Sequence, residues 1–370
     1  MKIIIYISSL RGGGAERVTA NLANYWAGKG WEVTVVTLAS CNLDFYTLHL
    51  AVKRISLNLA GDSVNVVVGV WQNLRRVMAL RRVLHKMQPD IALGMMTAAN
   101  VLLALSALGL SIHTVGSEHV HPTQYSLNAL WERLRRRTYG WLDAVTALTN
   151  ESADWLQAQT NVRRVMVIPN AAPWPLLVQV PKINPESVCQ AGRKILLAVG
   201  RLETQKGFDW LLEAFACLAD THSDWDLVIL GEGSLRTMIE DQVQMARLDK
   251  RVFLLGQVGN VGEWYARADL YVMSSRFEGF PNTLTEALTY GLPAVSFDCD
   301  TGPRDIIRPE VDGLLVPVGE VDGLVAALGR LMGDAALRER FSERAVEARE
   351  RFSVERIAGM WEKLFDEVNK

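Results

Sequence analysis

The chain has 370 residues, 49% of them hydrophobic and 22% charged, with a formal net charge of −2. That length predicts about two globular domains, and so even a charge balance removes any global reason to expect a nucleic-acid partner. The four cysteines, Cys41, Cys189, Cys217 and Cys299, have neither Cys-x-x-Cys nor metal-ligand spacing, so they read as reduced thiols of a cytoplasmic protein.

The opening Met1-Lys-Ile-Ile-Ile-Tyr-Ile lacks the longer apolar run and small-residue cleavage site of a signal peptide, and predicts a first strand over 2–8. It leads into Arg11-Gly-Gly-Gly-Ala-Glu-Arg17. Such glycines let the backbone approach a ligand where a helix N-terminus favours an anion. A dinucleotide fingerprint is a poor match, because Arg17 stands where a third Gly or Ala should pack and no acidic residue ends the second strand, 32–38. A third strand is expected over 51–58. The stretch from Asn73 to Lys86 then reads as a basic amphipathic helix, suited to an anionic membrane surface or a lipid diphosphate.

From Ile91 to Ile112 there is no charged residue, and about 20 apolar residues can span a bilayer. Gly94, Asn100 and Gly109 divide the run, however, into a strand over 90–95, a helix over 97–110 and a strand over 112–117, as in a buried parallel sheet. Ser117-Glu-His-Val-His121 then puts His119 at a strand end; the two histidines have no third metal ligand nearby in sequence. Trp131 to Trp141 interleaves arginines with aromatics, and strands over 144–148 and 165–169 close the first half. Pro169, Pro173, Pro175, Pro181 and Pro185 mark a linker.

The second half restarts like the first, with strands over 194–200, 226–230, 252–256, 270–274, 294–298 and 313–317. After Asp334 the pattern is helical, with Ser353 as the expected N-cap of the last helix. Strands alternating with helices predict an α/β protein of two Rossmann-like, doubly wound parallel-sheet domains. Ligands of such domains bind at the carboxyl ends of the strands, so the two are expected to face a central cleft.

Two further motifs fall at those edges. Gly200-Arg-Leu-Glu-Thr-Gln-Lys-Gly207 offers Arg201 as a fork and Lys206 as a point charge for a diphosphate. Phe277-Glu-Gly-Phe-Pro-Asn-Thr-Leu-Thr-Glu-Ala287 sets Glu278 and Glu286 eight apart around a Gly-Phe-Pro turn. Thr283-x-x-Glu286 reads as a capping box; Glu278 has no comparable structural role. Asp298-Cys-Asp300 resembles a metal-diphosphate holder, but it ends a strand and runs into Thr301-Gly-Pro303.

In family order over nearly the whole chain, Gly12-Gly-Gly-Ala-Glu16, Glu118-His119, Gly200-Arg201 with Lys206-Gly207, Glu278-x7-Glu286, Gly302-Pro-x-Asp-x-Ile and Asp312-Gly-Leu-Leu-Val-Pro317 resemble glycosyltransferase family 4, the retaining enzymes of GT-B fold. The resemblance is nearest to bacterial transferases that extend undecaprenyl-diphosphate-linked glycans, such as the N-acetylgalactosaminyl transferases of N-glycan assembly. It implies an acceptor-binding domain over 1–176, with the helix 353–370 packed back on it, and a nucleotide-sugar domain over 177–352. Glu278 is implied to face the donor sugar, Glu286 the ribose, and Arg201 and Lys206 the departing diphosphate. His119 is implied to contact the sugar. Gly13 and Gly14, the amides of Gly279 and Phe280, the helix start at Thr283 and Leu284, and Gln257 and Val258 near the base complete the donor site. Arg75, Arg76, Arg81, Arg82 and Lys86 are candidates for the acceptor diphosphate.

The implied reaction moves a sugar, an N-acetylhexosamine such as GalNAc, from a UDP-sugar to a polyprenyl-diphosphate-linked glycan with no cofactor or metal. The implied location is the cytoplasmic face of the inner membrane, bound peripherally. A soluble acceptor, a nucleotide-sugar epimerase of the same fold and a non-enzymatic nucleotide-binding scaffold are the alternatives.

Overall fold

The computed structural model describes residues 1–61, 66–121, 123 and 128–370, with side chains excluded at 66 and 67. It divides into two compact units, one of residues 1–171 with 354–370 and one of residues 172–353.

The first unit holds seven strands, β1 (Lys2–Ile7), β2 (Glu32–Thr37), β3 (Lys53–Ser56), β4 (Ile91–Met95), β5 (His113–Ser117), β6 (Ala144–Ala147) and β7 (Val165–Val167). They pair in the order β3-β2-β1-β4-β5-β6-β7, parallel throughout. Ile3, Ile4 and Ile5 are all inaccessible to solvent, because helices cover both faces of a parallel sheet and its central strands become continuous apolar runs. On one face the helix Gly14–Gly28 packs with the final helix, Val354–Val368. There Trp26 stacks on Trp31 at 5.4 Å, and Phe365 tilts against both. The other face carries helices Val66–Met87, Thr97–Ala107 and Ala129–Thr138, which share a core through Leu80, Leu84, Leu102 and Tyr139.

The uncharged segment after Asp90 is strand, helix and strand, and no helix among the described residues is long and apolar enough to cross a membrane. Asn100 is buried within it because its amide has work there: Nδ2 donates to the Ser117 carbonyl at 3.0 Å, and Oδ1 accepts from the Ser117 N–H at 3.2 Å.

The second unit holds β8 (Lys194–Val199), β9 (Trp225–Leu230), β10 (Val252–Gly256), β11 (Leu270–Met273), β12 (Ala294–Asp298) and β13 (Gly313–Pro317). Their order is β10-β9-β8-β11-β12-β13. The proline-rich segment after Ala171 is fastened to this unit. The Gln179 N–H donates to the Gly259 carbonyl at 2.9 Å, the Leu176 N–H to the Tyr290 hydroxyl at 2.9 Å, and Arg349 lies over Trp174 at 3.7 Å.

All the strands read from apolar runs are present, most of them ending within a residue or two of expectation. In both sheets the strand order reverses, between β1 and β4 and between β8 and β11. At such a switch point adjacent connections leave in opposite directions and open a crevice at the carboxyl ends of the strands. The glycine loop follows β1, the Arg201–Lys206 loop follows β8, and the Glu278 loop follows β11.

Candidate active site

The switch point of the second sheet brings together residues 72 apart in sequence. Lys206 Nζ lies 2.5 Å from Glu278 Oε1, and the two side chains are only 17% and 8% exposed. The Ser275 hydroxyl donates to the same carboxylate oxygen at 2.6 Å. Glu278 Oε2 has no hydrogen-bond partner among the described residues.

This contact depends on how the two loops are fastened. Gly207 adopts a left-handed conformation, φ 61°, as the helix Phe208–Leu218 begins. A Cβ there would lie 2.1 Å from the Ser274 carbonyl oxygen, so only glycine lets the loops approach this closely. The Ser274 hydroxyl donates to the Lys206 carbonyl at 2.9 Å. Arg276 grips Asp209 with two nitrogens at 2.8 and 2.6 Å, donates to the Thr204 carbonyl at 2.8 Å and lies 3.8 Å over the Trp210 ring. Its hydrogen bonds to Arg276 hold the Asp209 carboxyl below the usual range.

Glu286 is buried on the helix Asn282–Thr289 and accepts from the Tyr265 hydroxyl at 3.3 Å. The expected capping box does not form. The helix starts at Asn282 with Pro281 as N-cap and no capping side chain, so Thr283 lies within the first turn. Its hydroxyl instead accepts from Tyr271 at 2.9 Å. Burial first, and the Glu278 and Glu286 carboxylates after it, hold the Tyr271 phenol above its ordinary range. The Leu284 N–H donates to the Pro281 carbonyl at 3.1 Å.

Phe280 is buried against Phe352, their rings 5.9 Å apart, while Gly279 is half-buried. The Thr301 hydroxyl donates to the Glu278 carbonyl. A side chain at Gly302 would run into the Pro281 ring, which explains the glycine in Gly302-Pro303. Val258 is buried and Gln257 exposed after β10. Arg201 is exposed, without an ion-pair partner among the described residues. Asp298 is held by Arg304 through two bonds of 3.0 Å, and Asp300 is exposed.

In the first unit, Gly13 caps the helix Gly14–Gly28, its carbonyl accepting from Tyr46 at 3.0 Å. A side chain at Gly13 would collide with the Glu16 carboxylate. His119 follows β5, nine-tenths buried, with Nε2 3.1 Å from the Ser117 hydroxyl. Burial pushes the imidazole down to about 4. Glu118 beside it accepts from Thr97 at 2.8 Å and from Tyr139. Burial raises the Glu118 carboxyl above its ordinary value, and the two donors only partly offset this.

The five basic acceptor candidates divide into two kinds. Arg76 donates to the Leu59 and Gly61 carbonyls at 3.0 and 2.8 Å, and Arg81 to the Ser106 and Leu108 carbonyls at 2.9 and 2.6 Å. Arg76 thus braces a loop of its own unit, and Arg81 the C-terminal end of the helix Thr97–Ala107. Arg75 is exposed and stacks on Trp71 at 4.7 Å. Arg82 and Lys86 are exposed and, with Met78, Arg81 and His85, line an open depression of about 370 Å³. In the second basic stretch, Arg135 is buried, bound to Glu132 at 2.5 Å and stacked over Trp155, while Arg133, Arg136 and Arg137 are exposed.

Residues 12–173 match the family described as Glycosyltransferase Family 4, and residues 180–348 match Glycosyl transferases group 1. The chain is a glycosyltransferase that joins a family 4 domain to a group 1 domain. It is 29% identical over 370 residues to an α-1,4-N-acetyl-D-galactosaminyltransferase of Campylobacter jejuni, covering 100% of this chain and 99% of that one. That relative is named for the substrate GalNAc-α-(1→4)-GalNAc-α-(1→3)-diNAcBac-PP-undecaprenol. An exopolysaccharide phosphotransferase of Streptomyces coelicolor is 32% identical over 318 residues, 84% of this chain; the chain spans only 32% of that longer protein. Among solved structures, the sucrose-phosphate synthase of Thermosynechococcus elongatus superposes with a TM-score of 0.85 at 20% identity, covering 100% and 99% of the two chains. Anabaena HepE in complex with UDP gives 0.80 at 19%, covering 99% and 100%. At such identities the likeness concerns the fold, which is GT-B.

Several residues that shape this glycosyltransferase's candidate site were invisible to motif reading. Ser275, Arg276, Asp209 and Tyr265 are ordinary residue types with no diagnostic spacing; the adjacency of β8 and β11 joins Arg276 to Asp209 and Lys206 to Glu278, while Ser275 reaches Glu278 across three residues and Tyr265 reaches Glu286 from the helix before β11. Nothing in the sequence distinguished Arg76 and Arg81 from their exposed neighbours either.

Proposed function

We propose that this glycosyltransferase moves an N-acetylhexosamine such as GalNAc from a UDP-sugar to a polyprenyl-diphosphate-linked glycan, with retention, in bacterial polysaccharide or lipid-linked glycan assembly. The observation that carries the reading is the buried Lys206–Glu278 pair at the switch point of the second sheet. Sequestering an ammonium and a carboxylate costs several kcal/mol of hydration per ion, so the pair is better explained by chemistry than by stability.

In this reading Lys206 and Arg201 stabilise the charge that grows on the departing diphosphate, a preorganised electrostatic term that needs no metal. Glu278 faces the donor sugar. Glu286 takes the ribose hydroxyls, Gln257 and Val258 meet the base, and the amides of Gly279 and Phe280 with the helix N-terminus near Thr283 and Leu284 hold sugar and phosphate oxygens. Gly13 and Gly14 close on the diphosphate, and His119 contacts the sugar. The acceptor attacks from the face the leaving group departs, through an oxocarbenium-like state.

For the acceptor, Arg75, Arg82 and Lys86 supply exposed charge. On the same helix Val70, Trp71, Leu74 and Met78 are 57%, 58%, 54% and 43% exposed. Apolar side chains beside cations suit a peripheral enzyme at the cytoplasmic face of an inner membrane. The naming of the Campylobacter relative for an undecaprenol-linked substrate and the UDP bound to HepE support the acceptor and donor classes.

Thermal-shift screening against UDP, GDP, ADP and their sugar conjugates, without metal, tests the donor; a ligand that binds only the native state raises the melting point. Transfer of radiolabelled sugar to a polyprenyl-diphosphate glycan and flotation on anionic vesicles test the acceptor. Glu278→Ala should fold and lose turnover. No nucleotide shift, or an active Glu278→Ala, overturns the reading; no flotation, or release of UDP without transfer, redirects it to a soluble acceptor or an epimerase.

A further inference from the structure

The cation proposed for the diphosphate already has a partner within the protein. Lys206 Nζ sits 2.5 Å from Glu278 Oε1, in a site that screens neither charge with much water. One ammonium can bridge a carboxylate and a diphosphate only by loosening its hold on the first. Ser275 has no such conflict. It is fully buried, lies three residues before Glu278, and its hydroxyl reaches the same Oε1 at 2.6 Å. Its own carbonyl accepts from the Cys299 thiol at 3.1 Å, and that thiol is buried too. The Ser275 contact is therefore fixed by local chain geometry, whereas the Lys206 contact depends on a long side chain from another loop.

We propose that Lys206 exchanges partners, holding Glu278 in the empty enzyme and passing to the donor diphosphate on binding, and that Ser275 is the positioning residue that keeps Glu278 in place once Lys206 has left. This rests on the donor-site reading above and adds an order of events to it. Glu278 is neutralised by Lys206 while the site is empty, and its charge is exposed to the sugar only when a diphosphate takes the ammonium away. Oε2, uncommitted among the described residues, is the oxygen that meets the substrate.

The exchange predicts a gain of affinity from loss of a catalytic carboxylate. Glu278→Gln should bind UDP about tenfold more tightly than the native protein, the size expected when a charge-assisted hydrogen bond no longer has to be given up. Removing a negative charge near a diphosphate also helps binding, so the measurement is repeated with Lys206→Met. In that background the gain from Glu278→Gln should shrink to about twofold or less. Calorimetric titration of UDP against the four proteins gives the cycle.

Ser275→Ala should leave the UDP dissociation constant unchanged and lower kcat by about tenfold, with Ser275→Thr restoring most of it. A general structural defect would move both constants and would not be rescued by threonine. Unchanged or weaker UDP binding by Glu278→Gln, or a gain that persists in full with Lys206→Met, overturns the exchange. An unaffected kcat in Ser275→Ala overturns the positioning role. If the native protein does not bind UDP, the donor-site reading itself has failed, a result distinct from native binding without the gain.

Discussion

Gly207→Ala isolates the close approach that sets Lys206 against Glu278. The residue has φ 61°, and its Cβ would sit 2.1 Å from the Ser274 carbonyl oxygen, which is backbone and cannot swing aside. Gly192 is the control in the same unit: its φ is 83°, and a Cβ there meets nothing within 4 Å. A left-handed conformation costs a non-glycine residue about 1–2 kcal/mol, and that charge falls on both substitutions. Only Gly207→Ala must also push two loops apart, which we put at about 2 kcal/mol more by analogy with overpacked cores.

For a unit of this size each kcal/mol shifts Tm by about 2–4 °C. Gly192→Ala should therefore lose about 2–8 °C and Gly207→Ala about 6–16 °C, measured by scanning calorimetry without ligand. Because Ser274 also holds the Lys206 carbonyl, Gly207→Ala should weaken UDP binding at temperatures where the protein remains folded. Equal Tm losses from the two substitutions would refute the steric argument, and undiminished UDP binding by a folded Gly207→Ala would refute the link to Lys206.

Arg276→Ala removes the Asp209 fork and the Trp210 stack together and should lower stability by about 1–2 kcal/mol, with UDP binding weakened several-fold; Arg276→Lys keeps the charge without the fork and should fall between, as titration and melting would show. Tyr139→Phe deprives the buried Glu118 carboxyl of a donor and should cost about 1–3 kcal/mol in denaturant unfolding. His119 gives a pH signature. Its folded value of about 4 lies below the unfolded value of about 6.5, so between them the unfolded chain binds a proton that the native one refuses. Stability is therefore lost as pH falls through that window, by about 3 kcal/mol in all. The raised Glu118 carboxyl acts in the opposite sense but is common to both proteins, so His119→Asn should denature less steeply with acid than the native protein; identical pH profiles would exclude a neutral buried imidazole.

The strands are legible in the residues alone, because a parallel sheet covered on both faces demands continuous apolar runs, and runs such as Ile3-Ile-Ile5 or Leu196-Leu-Ala198 are visible without any partner. Alternation with helical stretches determined the layering as well, and the Gly-rich loop and paired glutamates fell at the edge where ligands of this fold bind. Polar partnerships followed another rule. A buried or half-buried charged or polar group takes whichever partner the packing brings near, and that depends on strand order and register rather than on period. It took the folded chain to bring Lys206 to Glu278 across 72 residues, to tie the two loops together through Arg276, and to give Glu286 to Tyr265 while Pro281 stands at the helix N-cap in place of Thr283. The same holds for Arg76 and Arg81, which are indistinguishable in sequence from Arg75 and Arg82 but are turned by helical phase onto carbonyls of a neighbouring loop and a helix end. Hydrophobic periodicity is written locally; the partner of a charge is settled only when the chain closes on itself.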